Sequence, residues 1–220
     1  MIVTCVLWSG NFRTRTYDKK WVVNLERMCR KHIPFSFEFV CFTNIPDFRA
    51  CKTIPINNDA PGWWAKMNIF KFSNFKKGEV VLYIDLDTLI LKDLTNLINK
   101  GRDSDLMLLP ALSSSTKNGA IPRYNTSVIL FKAGSPVCRD LYLDFFADRH
   151  RHMSWYRGDQ DFIGDCVPDL PTFPKNWFTK IKNIHNEKDI PKSTKILLMN
   201  PIKNDVASKK FEWVDKIWNG

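Results

Sequence analysis

Short, nearly continuous apolar runs alternate along this chain with stretches in which apolar residues recur every three or four positions. The runs read as buried strands: the opening "MIVTCVLWSG", residues 36–44, "EVVLYIDLD", "DLMLLPA", "YNTSVILFKAG" and, late in the chain, "TKILLMN". Between them lie helical patterns. In "TYDKKWVVNLERMCRKH" the residues Tyr17, Trp21, Leu25, Met28 and Cys29 share a face, and in "PGWWAKMNIFKF" (61–72) Trp63, Met67 and Phe70 do. "DLTNLINK" is a short helix. "SPVCRDLYLDFFADRH" is a longer one, with Ser135 as its expected cap and Val137, Leu141 and Phe145 facing a core. Another short helix is expected around "DQDFIGDCV" and a closing one at "KKFEWVDKIWN". Residues 9–16 and 113–123 are polar loops, and Gly78 and Gly134 bound strands. No repeat and no linker interrupts the alternation. Strands alternating with helices predict an α/β fold with a mostly parallel, doubly wound central sheet and helices on both faces. Strands that are apolar on both faces belong in such a sheet.

Ligands of doubly wound sheets bind beyond the carboxyl ends of the strands. "VLYIDLDTLIL" (81–91) delivers Asp85 and Asp87 to such an end, with only Leu86 between them. Two like charges there repel, and burying them is costly without a compensating cation or solvent. Extended backbone places positions i and i+2 on one side, and a hard divalent ion prefers carboxylate oxygens while leaving room for phosphates. The D-x-D spacing occurs three times, at 85/87, 103/105 and 159/161. "DSD" at 103–105 sits in a polar connection and reads as turn-capping. "DQD" at 159–161 opens a helix, where acids suit the dipole with or without a function.

The 220 residues match one large domain, and 44% apolar with 25% charged residues is a globular composition. The net charge of +10 favours an anionic partner, whether nucleic acid, a phosphorylated small molecule or an acidic membrane surface. The basic residues form no block, and no RNA-binding aromatic motif or helix-turn-helix pattern accompanies them, so nucleic acid is not expected. Cys5, Cys29, Cys41, Cys51, Cys138 and Cys166 are irregularly spaced with no C-x-x-C, which predicts reduced thiols, an intracellular protein and no zinc site. The first ten residues lack the basic region and cleavage site of a signal peptide, and no stretch reaches the ~18 apolar residues of a membrane span. A soluble, cytoplasmic protein is expected.

In this order and spacing, "TCVLWSGNF", "GWWAKMNIFKF", "VVLYIDLDTLILKDL", "YNTSVILFKAG", "GDQDFI", "NWFTKIK" and "ILLMNPIKND" resemble the GT-A glycosyltransferases. The likeness covers nearly the whole chain. It points to the glycogenin-like, family 8-like branch with its small bacterial and chlorovirus-type viral relatives. The resemblance implies a single GT-A domain over 1–220, with a nucleotide-binding half at about 1–100, an acceptor and catalytic half at about 101–220, and a small antiparallel element. It implies that Thr4, Cys5 and Leu7 line the base pocket and that Tyr17 stacks on the base. Lys66 then reaches the donor sugar or diphosphate. Asp85 contacts the ribose and metal shell, and Asp87 ligates Mn²⁺ or Mg²⁺. Asn125, Thr126 and Ser127 hydrogen-bond the donor sugar, while Asp159, Gln160 and Asp161 stand beside the reacting carbon. One departure stands out. The family places a His ligand and then a Gly at the end of its last strand, where this chain has Asn200 and Pro201. Asn200 would be a weaker, uncharged third ligand, with His185 or Asp205 as remote substitutes, and Lys203 still reaches the diphosphate.

The implied reaction is metal-dependent transfer of a hexose or deoxyhexose from a nucleoside diphosphate, UDP favoured over GDP, to a hydroxyl of a glycan or glycoprotein. The motifs favour retention; an inverting enzyme would need Asp159 or Asp161 as base. Acceptor recognition is either minimal or lies on a partner or a longer parent chain. The viral relatives imply surface-glycan assembly in a host cytoplasm. The competing readings are a silent nucleotide- or glycan-binding domain and a Mg²⁺-dependent nucleotidyltransferase.

Overall fold

The first apolar run forms β1 (Ile2–Leu7), and every residue but one along it is buried. Asp18 caps α1 (Lys19–His32) by accepting from the Lys20 N–H, and basic residues fill the last turn, as the helix dipole favours. The chain continues through β2 (Glu38–Thr43), β3 (Lys52–Pro55), a 3-10 helix (Gly62–Phe70), β4 (Val80–Ile84), β5 (Thr88–Ile90), α2 (Thr95–Gly101), β6 (Leu106–Pro110) and β7 (Tyr124–Lys132). After these come α3 (Pro136–Ala147), α4 (Arg149–Trp155), α5 (Asp159–Cys166), β8 (Phe178–Lys180), β9 (Ile196–Leu198), α6 (Asn204–Lys210) and α7 (Glu212–Trp218). The structure is a computed structural model that describes residues 1–12, 17–57, 59–112, 123–200 and 202–220. The expected loop at 113–123 thus lies outside the described residues except for Arg123, as does Pro201.

Six strands form the central sheet in the order β3-β2-β1-β4-β7-β6. The pairs β3-β2, β2-β1 and β1-β4 are parallel, and β7 runs antiparallel to both β4 and β6. A second sheet, β5-β9-β8, pairs β5 antiparallel to β9. The expected α/β fold with a mostly parallel central sheet is therefore the observed architecture, and the small second sheet combines the antiparallel β5-β9 pair with a parallel β8-β9 pair. Alternation along β1 and β4 divides the core. Val3, Cys5, Leu7, Leu82 and Ile84 pack with α1, the second sheet and Trp218, whereas Val81 and Tyr83 pack with Trp64, Phe70, Phe145 and Phe162.

Three expectations need correction. The segment expected as a helix over 61–72 forms a 3-10 helix at Gly62–Phe70, not an α-helix, so positions three apart eclipse. Trp64, Met67 and Phe70 enter the core on one ridge, while Trp63 stays half-buried on another with Lys66. Ser135 precedes α3 but makes no capping bond; Pro136 starts the helix, and the Ser135 hydroxyl donates to the Asp105 carbonyl instead. The closing helix breaks at Phe211 into α6 and α7.

Candidate active site

β4 leaves the central sheet at Ile84, and β5 enters the second sheet at Thr88. The three residues of the hand-over are Asp85, Leu86 and Asp87. Leu86 turns into the core. The backbone is pinned on both sides: the Asp85 N–H donates to the Ser127 carbonyl (2.8 Å), and the Asp87 carbonyl accepts from the Met199 N–H (3.1 Å). The two carboxylates thus emerge together at the carboxyl ends of β1 and β4, on the wall of a cavity of about 570 Å³.

Lys66 is 5% exposed and lies between two acids, with its ammonium 3.1 Å from Asp85 and 3.0 Å from Asp159. It also donates to the Thr126 carbonyl and hydroxyl, both at 3.1 Å. Thr126 in turn donates to Asp159 at 2.6 Å, and Tyr83 donates to Asp85 at 2.5 Å. Burial alone pushes the Lys66 pKa down, but Asp159 and Asp85 outweigh it and hold the ammonium above its ordinary range. Burial, reinforced by Asp85, likewise raises Tyr83 and keeps its hydroxyl a donor. Lys66 is therefore a charged strut between two carboxylates, not a solvent-facing helix charge.

Local irregularities supply the rest of the wall. β6 and β7 pair Leu108 with Ile129 but Leu109 with Asn125, so residues 126–128 bulge out of the ladder. The bulge brings Asn125, Thr126 and Ser127 to the cavity, and Asn125 accepts from the Ser127 N–H at 2.9 Å. The first turn of α5 contributes Asp159, Gln160 and Asp161. Asp159 is committed to Lys66 and Thr126. Asp161 pairs through one oxygen with Arg157 at 2.9 Å, and its other oxygen is buried with no hydrogen-bond partner among the described residues. On the remaining side Lys203 sits on Asp87 and on the Tyr17 hydroxyl, and Tyr17 donates to Asp87 at 3.2 Å.

The cavity gathers Tyr17, Lys66, Asp85, Asp87, Asn125, Ser127, Asp159, Gln160, Asp161 and Asn200, and Lys203 closes on it through Asp87. Two of the three D-x-D triplets meet there, while Asp103 and Asp105 lie elsewhere. Thr4, Cys5 and Leu7 do not line it. All three are completely buried, and Thr4 donates to the Val40 carbonyl at 2.8 Å. Their neighbours Val6 and Trp8 take that place. The signal was present in the pattern: if Cys5 and Leu7 face the core, Val6 and Trp8 face the opposite side. Phe12, Trp63 and Arg157 also line the cavity and were not anticipated. His185 and Asp205 are exposed and outside it.

Among the described residues no group of three or more His, Cys, Asp or Glu side chains is placed to hold a metal ion. Asp85, Asp87 and the Asn200 amide nevertheless form an all-oxygen set on one cavity wall. That set suits a hard cation that takes its remaining ligands from substrate phosphates and water.

No protein-family model matches the chain, and no curated protein sequence does. Solved structures do. The galactosyltransferase LgtC, in complex with donor and acceptor sugar analogues, superposes with a TM-score of 0.65 at 13% identity, over 100% of this chain and 95% of that one. An active-site mutant of LgtC gives 0.59 at 12% identity, over 98% and 95%. The glycosyltransferase GlyE of Streptococcus pneumoniae TIGR4 gives 0.61 at 15% identity, over 92% of this chain and 56% of that one. This chain therefore has the GT-A fold of those glycosyltransferases along its full length.

Proposed function

We propose that the protein is a metal-dependent, retaining glycosyltransferase that moves a sugar from a nucleoside diphosphate to a hydroxyl of a glycan or glycoprotein. One observation carries the reading. At the carboxyl edge of a GT-A sheet, a single cavity collects the acids of two D-x-D triplets, a buried lysine and the polar segment 125–127. UDP is favoured over GDP on the sequence resemblance alone. The nucleotide half and the acceptor half of the chain both contribute lining residues, consistent with one domain.

Asp85, Asp87 and Asn200 would hold Mn²⁺ or Mg²⁺, whose bound charge stabilises the leaving diphosphate. Trp8 and Tyr17 offer aromatic faces for the base. Asn125 and Ser127 present hydrogen-bonding groups to the donor sugar. Lys66 keeps Asp85 and Asp159 in place with a charge that does not titrate near neutrality. Asp159 and Asp161, on the first turn of α5, both line the cavity and would be the acids beside the positive charge that develops at the sugar carbon. Lys66 and Thr126 both hold Asp159 through Oδ2, which fixes the orientation of that carboxylate. In a retaining reaction the departing phosphate oxygen takes the acceptor proton.

The test is incubation with a panel of UDP- and GDP-sugars and simple saccharide acceptors, following nucleotide release and product anomer by NMR. We expect turnover of one donor with Mn²⁺, loss of it with chelator, and a product anomer matching the donor. Donor binding without sugar release under every condition would favour a silent binding domain, and pyrophosphate release in a parallel incubation with UTP or GTP and a sugar 1-phosphate a nucleotidyltransferase.

A further inference from the structure

Lys203 stands at the N-cap of α6, so that helix fixes where its side chain starts. The ammonium lies on Asp87 and the Tyr17 hydroxyl, and 5.0 Å above the Tyr17 ring. Its side chain is 18% exposed and that of Asp87 14%, so the pair is largely withdrawn from water and weakly screened. The other acid of the triplet is similarly engaged, by Lys66 and Tyr83. Each carboxylate of the D-x-D pair is thus neutralised by a lysine of its own chain. Lys66 is locked in by four contacts, two of them to Thr126. Among the described residues Lys203 holds Asp87 and a phenol, at the edge of the cavity.

We infer that Lys203 is a tethered cation that competes with the divalent ion for Asp87, and that a diphosphate relieves the competition. The inference rests on the donor-site reading above. A metal approaching Asp87 meets a carboxylate whose charge is already matched, and it would bring two positive charges against the ammonium. Asn200 adds no charge to offset that repulsion. A diphosphate offers Lys203 another anionic partner, frees Asp87 and supplies phosphate oxygens to the metal. Metal and nucleotide therefore bind with positive coupling, part of which runs through Lys203, and linkage makes the coupling reciprocal. Tyr17, which touches both Asp87 and Lys203, connects this exchange to the base side of the cavity.

Mn²⁺ binding read by electron paramagnetic resonance of the free ion, without turnover, tests this on the protein with and without UDP. In wild type, saturating UDP should tighten Mn²⁺ binding by about tenfold or more, within the usual range of coupling between sites. Lys203→Met should bind Mn²⁺ alone about tenfold more tightly than wild type and show a smaller UDP-induced gain, while Lys203→Arg should behave like wild type. Thermal melting checks that each variant is folded. Two results overturn the inference while leaving the donor site standing: Mn²⁺ binding in wild type that ignores bound UDP, or Lys203→Met binding Mn²⁺ alone no more tightly than wild type. Failure of wild type to bind UDP even with Mn²⁺ overturns both.

Discussion

Lys66 shows how a single side chain organises the site. Removing its charge leaves Asp85 and Asp159 facing each other with Asp159 5% exposed. Breaking a buried ion pair in this way typically costs about 3–5 kcal/mol. Lys66→Met is therefore expected to lower the melting temperature by on the order of 10 °C for a chain of this size. The pH dependence follows from the sign of the shift. The folded pKa is raised above the ordinary 10.5, so the stabilisation is complete below that value and is lost only as pH rises through the folded one. The stability gap between wild type and Lys66→Met should accordingly not close as pH rises from about 7 to 9; a gap closing as pH rises through that window would mean the ammonium is not held by its two acids. On the proposed reading, Asp161→Asn should by contrast reduce turnover about a hundredfold or more with donor binding nearly unchanged, because a carboxylate beside the sugar carbon would act on charge that appears only in the transition state. Steady-state kinetics separate the two parameters.

At the scale of elements, the strand-delivered features were legible and the irregular ones were not. Five apolar residues before Asp85 were enough to place the acids at a strand end, because burial leaves such a run little choice. β3 reads "KTIP", four residues with a lysine and a proline, and carries no apolar signal. β9 was legible within "TKILLMN", but the three-residue β8 owes its existence to pairing with β9. The hand-over that starts β5 directly after Asp87 belongs to the same non-local pairing, which no local pattern encodes. The 3-10 geometry of 62–70 was missed because its residues are apolar nearly all round, and a period of three is close to the helical one. That segment also carries a backbone constraint. Gly62 has φ +60, and a Cβ there would fall 1.9 Å from the Phe12 ring, so only glycine lets that ring lie against the start of the helix. Gly62→Ala should destabilise by about 1–2 kcal/mol from the left-handed backbone alone and displace Phe12 from the cavity. Unfolding in denaturant and UDP titration measure the two effects separately.

For the whole molecule, the fold and the position of the site followed from the alternation of strands and helices, and the identity of the cavity wall followed only in part. Asn125, Asp159 and Asp161 took their roles from the family resemblance, whereas Asp85 and Asp87 were named because acids at the end of an apolar strand are conspicuous. Trp8, Phe12 and Trp63 were not, because aromatic residues read as core until the topology shows which face they leave open. The lysine pairings of Asp85 and Asp87 join residues 19 and 116 positions apart, from the 3-10 helix and from the start of α6, and are invisible to any local reading. Among the described residues no helix is long and apolar enough to cross a membrane, and all six cysteines are free thiols. The net charge of +10 acts at long range on an anionic donor. Raising ionic strength should slow donor association more than it speeds dissociation, a difference that stopped-flow binding resolves.

The central claim is that Asp85 and Asp87 form a metal-assisted nucleoside diphosphate site. Calorimetric titration of UDP and of GDP, with and without Mn²⁺, into wild type and Asp87→Ala tests it most directly. The account predicts that one nucleotide binds, that Mn²⁺ strengthens its binding, and that the Asp87→Ala variant loses the metal-dependent part. Absence of binding by either nucleotide, or binding indifferent to both the metal and the substitution, would contradict it.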